Sequence, residues 1–389
     1  MPLINTAVAL CAVGAEKTVS NELKKMELSV KESGFGRVSF ISDLGGLYRA
    51  LIGLRAADRV LLETASFQAA DFDALFEGVR CLPWEEYITS GMALKVSKVR
   101  TNRSMLQAET SIQAVVHKAA AERLCDKRGI NRLPENGEEA ELRVYLEKDR
   151  ASILLDLSGE PLFKRGYRTK GGIAPLRETT AAAIILHSGW RRKFPLYDPF
   201  CGSGTIAIEA AMYAWDIAPG MGRHFAIERL PFSDKAVEKR IRDEFLGKPD
   251  FSRLVRIAGS DQDAASVAAA KENLNRALLL SGSQRPASLP EFKVIPMEKA
   301  KTPFNNQSDD WPCGFIITNP PYGRRLGDPE SAEKIYKEMG SLAKNFSGWK
   351  MVLITDHPGF ESFYGKKADT CREITNGAIQ SYLYQYEKI

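Results

Sequence analysis

Residues 315–322 read Phe-Ile-Ile-Thr-Asn-Pro-Pro-Tyr, an apolar run that stops abruptly at a polar residue, two prolines and an aromatic. β-Branched and aromatic residues in succession suit a strand buried on both faces. Pro320 and Pro321 cannot prolong a sheet, because neither carries an N–H. The strand therefore empties into a stiff loop that is poor in donors. Each proline also biases the residue before it toward an extended backbone, so the carbonyls of Asn319 and Pro320 become fixed acceptors beside the Asn319 amide. A group offering two hydrogens can dock there.

The 389 residues suffice for two or three domains at roughly 150 residues each. Six cysteines, Cys11, Cys81, Cys125, Cys201, Cys313 and Cys371, are scattered with no C-x-x-C pair, which predicts a reduced, cytoplasmic protein. The apolar stretch Leu3 to Val13 is short and is followed by Glu16 and Lys17, so neither a signal peptide nor a membrane span is expected. No repeat or low-complexity tract stands out.

The first 65 residues alternate short elements: strand Ile4 to Cys11, helix Glu16 to Met26, strand Arg37 to Ile41, helix Leu44 to Leu54 and strand Asp58 to Ser66. Further on, Ala93 to Arg100 alternates as a strand, and Ser111 to Leu124 places Ile112, Val115, Val116 and Ala119 on one helical face. His117 on that helix is expected to be a surface or packing residue. Glu141 to Leu146 and Ala151 to Leu157 form two more strands, and the turn at Asp156-Leu-Ser-Gly-Glu-Pro marks a domain edge.

The net charge of +5 acquires a location beyond that turn. Residues 161–193 hold eight Lys or Arg against one acid, Glu178. Lys164-Arg165-Gly-Tyr167-Arg168 interleaves cations with an aromatic, as a segment would that grips phosphates and stacks a base. A solvated, charged linker explains it equally well. Similar basic density at Lys95, Lys98, Arg100 and Arg103 favours nucleic acid.

Residues 195–205 run as a strand ending in Asp198, a loop Pro199-Phe200-Cys201-Gly202-Ser-Gly204, and a helix from Thr205. The glycines let a ligand approach the backbone. The same letters fit a G-x-G-x-x-A dinucleotide fingerprint, but the acid expected about 20 residues later on the next strand comes only at Asp261, after the run Val255 to Gly259. The intervening insertion, with Trp215, Phe225 and a charged helix around 234–245, can cover the site or meet a partner. Cys201 is expected to pack rather than attack. Asp261 is placed to hold a ribose diol, and Asp263 to cap the helix Ala264 to Leu278. Phe292 to Ile295 forms a third strand, followed by Met297 and Glu298 at adenine-contacting positions. Toward the end of the chain, Glu330 to Phe346 reads as one helix and Lys350 to Thr355 as a strand. Asp356 and His357 are expected to be structural, and an antiparallel pair closes the chain with Tyr382, Tyr384 and Tyr386 packing.

Asp198-Pro-Phe-Cys-Gly-Ser-Gly-Thr followed by Thr318-Asn-Pro-Pro-Tyr-Gly resembles the class I S-adenosylmethionine-dependent methyltransferases that modify exocyclic amino groups. Phe163-Lys-Arg-Gly-Tyr-Arg, Ala174-Pro-Leu-Arg-Glu-Thr-Thr and Asn319-Pro-Pro-Tyr-Gly-Arg-Arg-Leu-Gly extend the resemblance over almost the whole chain to the THUMP-domain 23S rRNA guanine-N2 methyltransferases (RlmL/YpsC-like). The resemblance implies an α/β fold: a ferredoxin-like region (1–65) and a THUMP RNA-binding domain (66–160), both α+β, ahead of a class I, Rossmann-like methyltransferase domain (161–389) with a seven-stranded sheet. It implies S-adenosyl-L-methionine as cofactor, held by Asp198, Pro199, Phe200, Gly202, Gly204 and Thr205, by Asp261 at the ribose, by Gln262 and Met297, and by Glu178 and Thr179 at the methionine end. Asn319, Pro320, Pro321 and Tyr322 would take the target base. Lys95, Lys98, Arg100, Lys164, Arg165, Tyr167 and Arg168 would bind RNA, either 23S rRNA or a large-subunit precursor. Two departures accompany it: Arg324 stands where relatives commonly have an acid, and the sequence ends at Ile389 without the second methyltransferase domain of some relatives.

The implied chemistry needs no metal. An exocyclic amine is a poor nucleophile because its lone pair is shared with the ring. Acceptance of its two hydrogens by the Asn319 amide oxygen and the Pro320 carbonyl would aim that lone pair at the methyl group. Three functions stay open: guanine-N2 methylation of RNA, adenine-N6 methylation of RNA or DNA by the same loop, and RNA binding without catalysis.

Overall fold

The computed structural model describes residues 5–168, 176–280, 286–304, 313–321, 329–377 and 379–389. Two seven-stranded sheets organise them. The first uses β1 (Asn5–Cys11), β2 (Ser29–Gly34), β3 (Arg37–Ser42), β4 (Ala57–Gln68), β5 (Ala93–Asn102), β6 (Glu139–Glu147) and β7 (Arg150–Asp156), ordered β2-β3-β1-β4-β7-β6-β5. Helices α1 (Glu16–Lys25), α2 (Leu44–Gly53), α3 (Phe72–Arg80) and α4 (Glu109–Arg128) share one apolar core with Ala7, Ala9, Phe40, Val60 and Leu142 of its strands. Among the described residues the opposite face carries the small buried cluster Val8, Leu61 and Leu154, as expected where one face of a largely antiparallel sheet, with only β5 and β6 parallel, meets water. Strand β4 pairs with β1 on one side and β7 on the other. The boundary expected near residue 65 therefore falls inside a strand, and the first two units are one continuous sheet.

The second sheet comprises β8 (Leu196–Asp198), β9 (Ile257–Asp261), β10 (Glu291–Val294), β11 (Phe315–Thr318), β12 (Lys350–Thr355), β13 (Thr370–Asn376) and β14 (Ile379–Tyr386), ordered β10-β9-β8-β11-β12-β14-β13. The first five are parallel, and β14 and β13 close the edge antiparallel. This is the seven-stranded class I sheet that the motifs implied. Helices cover both of its faces: α5 (Glu178–His187), α6 (Thr205–Ala214) and α8 (Ala264–Leu280) on one, and α9 (Pro329–Glu338), α10 (Gly340–Asn345) and α11 (Phe360–Tyr364) on the other. The opening apolar run behaves as its composition requires. Phe315 and Ile317 enter the first of these cores and Ile316 the second, so β11 is buried on both sides.

Several elements differ from the sequence reading. Strand β2 escaped it because Ser-Val-Lys-Glu-Ser-Gly is polar and lies at a sheet edge. The single helix expected over 330–346 is two helices that meet at Met339 and Gly340. The insertion between β8 and β9 includes α7 (Lys235–Leu246), and its Phe225, Ile227, Leu230, Ile241 and Phe245 join the core of the first sheet. The Gly220 N–H donates to the Ile52 carbonyl (2.9 Å) and the Ile227 N–H to that of Leu157 (3.1 Å). The segment, expected to cover the site or meet a partner, is docked on the N-terminal half of its own chain. Among the described residues no helix is long and apolar enough to cross a membrane.

Candidate active site

Strand β8 has β9 on one flank and β11 on the other, so the chain leaves its carboxyl end in opposite directions. That is where parallel sheets open a crevice. Asp198 ends β8, Asp261 ends β9 and Asn319 follows β11. The three acceptors meant for cofactor and target come together at one edge.

The loop after Asp198 is tightly held. The Gly204 N–H donates to the Cys201 carbonyl (2.8 Å), the Cys201 N–H to the Ser260 carbonyl (2.9 Å), and the Asn273 Nδ2 to the Ser203 carbonyl (3.0 Å). Gly202 and Gly204 have φ of +50° and +84°, left-handed values that favour glycine. A Cβ on Gly204 would lie 2.9 Å from that of Ala270, whereas one on Gly202 would meet open space. The loop is thus closed toward the core and open toward the crevice. Asp261 braces it, accepting the Gly202 N–H at Oδ2 (2.9 Å) and the Asp263 N–H at Oδ1 (3.0 Å). Asp263 in turn accepts the Ala265 and Ser266 N–H groups at the start of α8.

Asp198 is 2% exposed, and one oxygen accepts both the Thr318 hydroxyl (2.6 Å) and the Phe200 N–H (3.1 Å). Burial pushes its carboxyl up to about 7 against those two hydrogen bonds, with Asp261 adding to the rise. Thr318 was part of the recognised motif without a role of its own. Here it ties the loop of β8 to the strand that carries Asn319. Cys201 is buried against Gly259, and burial pushes its thiol up, which leaves no thiolate to act as nucleophile.

Asn319 is 7% exposed, and its Oδ1 is buried without a hydrogen-bond partner among the described residues. Pro320 is buried beside it and Pro321 half-buried. Tyr322 lies outside the described residues, as do Arg324, Lys170, Ala174 and Pro175. Pro199 and Thr205 are buried, Phe200 packs at the rim of an apolar core, and Gln262 is exposed next to Asp261. Met297 is buried on the turn after β10. His357 is used locally: its N–H donates to the Thr355 hydroxyl and its Nδ1 accepts from the Gly359 N–H, each at 3.1 Å.

Glu178 and Thr179 begin α5. Burial raises the Glu178 carboxyl, and the Arg168 guanidinium 3.4 Å away opposes that rise. Thr179 donates its hydroxyl to Asp58 on β4, and Arg177 pairs with the same carboxylate at 3.0 Å. Asp58 carried no functional signal in the sequence, because its partners lie some 120 residues further along.

The RNA-gripping role expected for the basic segment fails for three residues. Tyr167 is 0% exposed and donates its hydroxyl to Glu209 (3.1 Å). Arg165 is 3% exposed and donates to the carbonyls of Leu162 and Arg55. Arg168 reaches the Leu176 carbonyl (3.1 Å) and the Thr205 hydroxyl (2.6 Å). The two guanidinium groups and the Tyr167 hydroxyl face carboxylates, carbonyls and a hydroxyl inside the protein. Lys164, Lys95 and Arg100 are exposed and paired with Glu160, Glu139 and Glu109; Lys98 is half-buried on β5.

Comparison with known proteins decides which chemistry this edge serves. Residues 165–385 match the RMKL-like methyltransferase domain, residues 6–61 the RlmL ferredoxin-like domain and residues 69–156 the THUMP domain. The chain belongs to the RMKL-like methyltransferase family. This methyltransferase is 36% identical to YpsC of Bacillus subtilis over 383 residues, which cover 98% of this chain and 95% of that one. It is 33% identical over 398 residues to the ribosomal RNA large subunit methyltransferase K/L of Cellvibrio japonicus, covering 99% of this chain but 51% of the relative. The RMKL-like chain thus spans about half the length of that enzyme. Its fold superposes on the crystal structure of SMU.472 complexed with S-adenosylhomocysteine with a TM-score of 0.87 at 36% identity, covering 100% of this chain and 99% of that one. S-adenosylmethionine is the cofactor of this methyltransferase family. The loop after β8 leaves room for it: a Cβ on Gly202 would meet open space, so a ligand can approach the backbone there.

Proposed function

We propose that the protein transfers a methyl group from S-adenosylmethionine to the exocyclic N2 amine of a guanine in RNA, with 23S rRNA as the substrate. The observation that carries the reading is the buried, unpartnered Oδ1 of Asn319. An acceptor held out of water without a donor costs about 1–3 kcal/mol, and an incoming amino group satisfies it. The RNA half of the reading is supported by the THUMP domain match and by the ribosomal RNA names of relatives that share both N-terminal units.

The cofactor supplies an electrophilic methyl group on a sulfonium. Asn319 Oδ1 and the Pro320 carbonyl accept the two amine hydrogens, which turns the nitrogen lone pair out of the base plane toward the crevice. The N–C bond forms as the S–C bond breaks, the sulfur leaves as a neutral thioether, and the surplus amine proton passes to water. Thr318, by donating to Asp198, sets the spacing between the amine-holding loop and the cofactor loop. Such fixed placement of two reactants is worth about 7–11 kcal/mol of barrier in well-oriented reactions. Tyr322 would stack on the extruded base, worth roughly 1–3 kcal/mol.

Nucleoside mass spectrometry of rRNA and DNA from cells lacking the protein tests this. The expected result is loss of N2-methylguanosine from 23S rRNA and its return on complementation. Loss of N6-methyladenine instead would transfer the same loop to adenine, and an unchanged nucleoside profile would refute the proposal.

A further inference from the structure

A row of buried charged side chains runs from α1 in the N-terminal half to the first residue of α6. Glu22 on α1 accepts the N–H groups of Arg55 (2.9 Å) and Ala56 (3.0 Å). The Arg55 guanidinium donates to the Ile217 carbonyl (2.6 Å), and its own carbonyl accepts from Arg165 (2.5 Å). Arg165 Nε lies 3.6 Å from Glu209 on α6, which also accepts the Tyr167 hydroxyl. Arg168 then reaches the Thr205 hydroxyl, where α6 begins directly after Gly204.

This row is costly. Of the ten buried polar side-chain atoms without a hydrogen-bond partner among the described residues, four belong to it: Arg55 Nη1, Arg165 Nε, Arg168 Nε and Glu209 Oε2. Apolar side chains of similar volume commonly stabilise such a place more than buried ions do, whereas ions tolerate only a narrow set of geometries. The row joins the sheet that precedes the catalytic domain to the helix whose N-terminus closes the cofactor loop. Its chemistry suits fixing one unit against the other better than adding stability.

We propose that Arg165 is a positioning residue: by linking Arg55 to Glu209 it sets the N-terminal half at the one placement from which bound RNA delivers its nucleotide to Asn319. The inference rests on the RNA substrate proposed above. Arg165→Met keeps the aliphatic stem and removes the donors, and Arg165→Lys keeps the charge. Both are compared with wild type below the melting temperature, using S-adenosylhomocysteine and 23S rRNA from cells lacking the protein.

The expected result for Arg165→Met is affinity for each ligand within about threefold of wild type and single-turnover methyl transfer slowed by about 30-fold or more, with part of the rate recovered in Arg165→Lys. Hydrogen exchange reads the placement without RNA and should quicken at residues 54–57 and 205–211 alike. An unchanged transfer rate in folded Arg165→Met overturns the proposal. So does a rate loss matched by lost cofactor affinity, or faster exchange confined to residues 162–168. Should Arg165→Met fail to fold, Glu209→Gln takes its place in the same measurements, with the same results supporting or overturning the proposal. A wild-type protein that does not methylate the RNA refutes the substrate reading, while the exchange measurement still decides the role of Arg165.

Discussion

Replacement of Asn319 by alanine separates function from stability in a way few active-site changes do. The side chain is 7% exposed, and its Oδ1 has no donor among the described residues. A buried acceptor in that state costs the folded protein about 1–3 kcal/mol. Its removal also leaves a small cavity, which takes back part of that gain. The two effects oppose each other, so Asn319→Ala should unfold in urea with a stability within about 1 kcal/mol of wild type or slightly above it. Methyl transfer should respond in the opposite sense. Loss of one preorganised polar group aimed at a reacting centre slows catalysis by about 10²–10³, and in the proposed function the lost group holds the nucleophile itself. The assay is single-turnover transfer of labelled methyl to 23S rRNA from cells lacking the protein, run beside calorimetric titration with S-adenosylhomocysteine. In the proposed function the loops of β8 and β9 hold the cofactor, so its affinity should move by no more than about threefold. A transfer rate near that of wild type would refute the acceptor role. A stability loss of several kcal/mol would show that the amide is structural.

Three further outcomes follow from the buried groups of the site and its supports. Asp198, raised to about 7 by burial, holds its proton in the folded protein where the unfolded chain, near 3.9, has lost it; its contribution to stability is full below about pH 4 and is lost as pH rises through about 7. Urea midpoints from pH 4 to 8 should therefore fall more steeply for wild type than for Asp198→Asn, and parallel curves would contradict the burial account. Gly204→Ala places a methyl 2.9 Å from the Ala270 Cβ at φ +84°, so it should destabilise by about 1–2 kcal/mol or more and weaken S-adenosylhomocysteine binding in calorimetry. Tyr167→Phe removes a buried hydroxyl donated to Glu209 and should cost about 1.5–3 kcal/mol in denaturant titration with RNA affinity unchanged; weaker RNA binding at full stability would restore Tyr167 to the RNA surface.

What could be read from the sequence divides by the range over which the chemistry is determined. The strand at 315–318 and the loop after it were legible because their behaviour is written in their own covalent structure. Apolar side chains alternate into two cores, as Ile316 does against Phe315 and Ile317, and prolines stop the sheet wherever they stand. The glycine loop was legible for the same reason, since φ values of +50° and +84° select glycine whatever surrounds them. The basic segment had no such local anchor. Lys164, Arg165, Tyr167 and Arg168 sit within five positions of one another, yet only Lys164 is exposed. The three others turn inward to Glu209 and Glu178, and to backbone carbonyls such as that of Arg55, 110 residues earlier.

Charge density along a chain counts cations without locating the carboxylates they will meet. A segment joining two domains is where that omission misleads most, because both neighbours supply partners from distant sequence. Asp58 shows the converse. It is an acid on a strand with no motif around it, and the fold makes it the anchor of Arg177 and Thr179 at the start of α5. A motif whose function rests on its own backbone can therefore be assigned from residues alone. One whose function rests on charge needs the fold first, and in this protein the fold turns three of the four residues of a supposed RNA grip inward to partners from both halves of the chain.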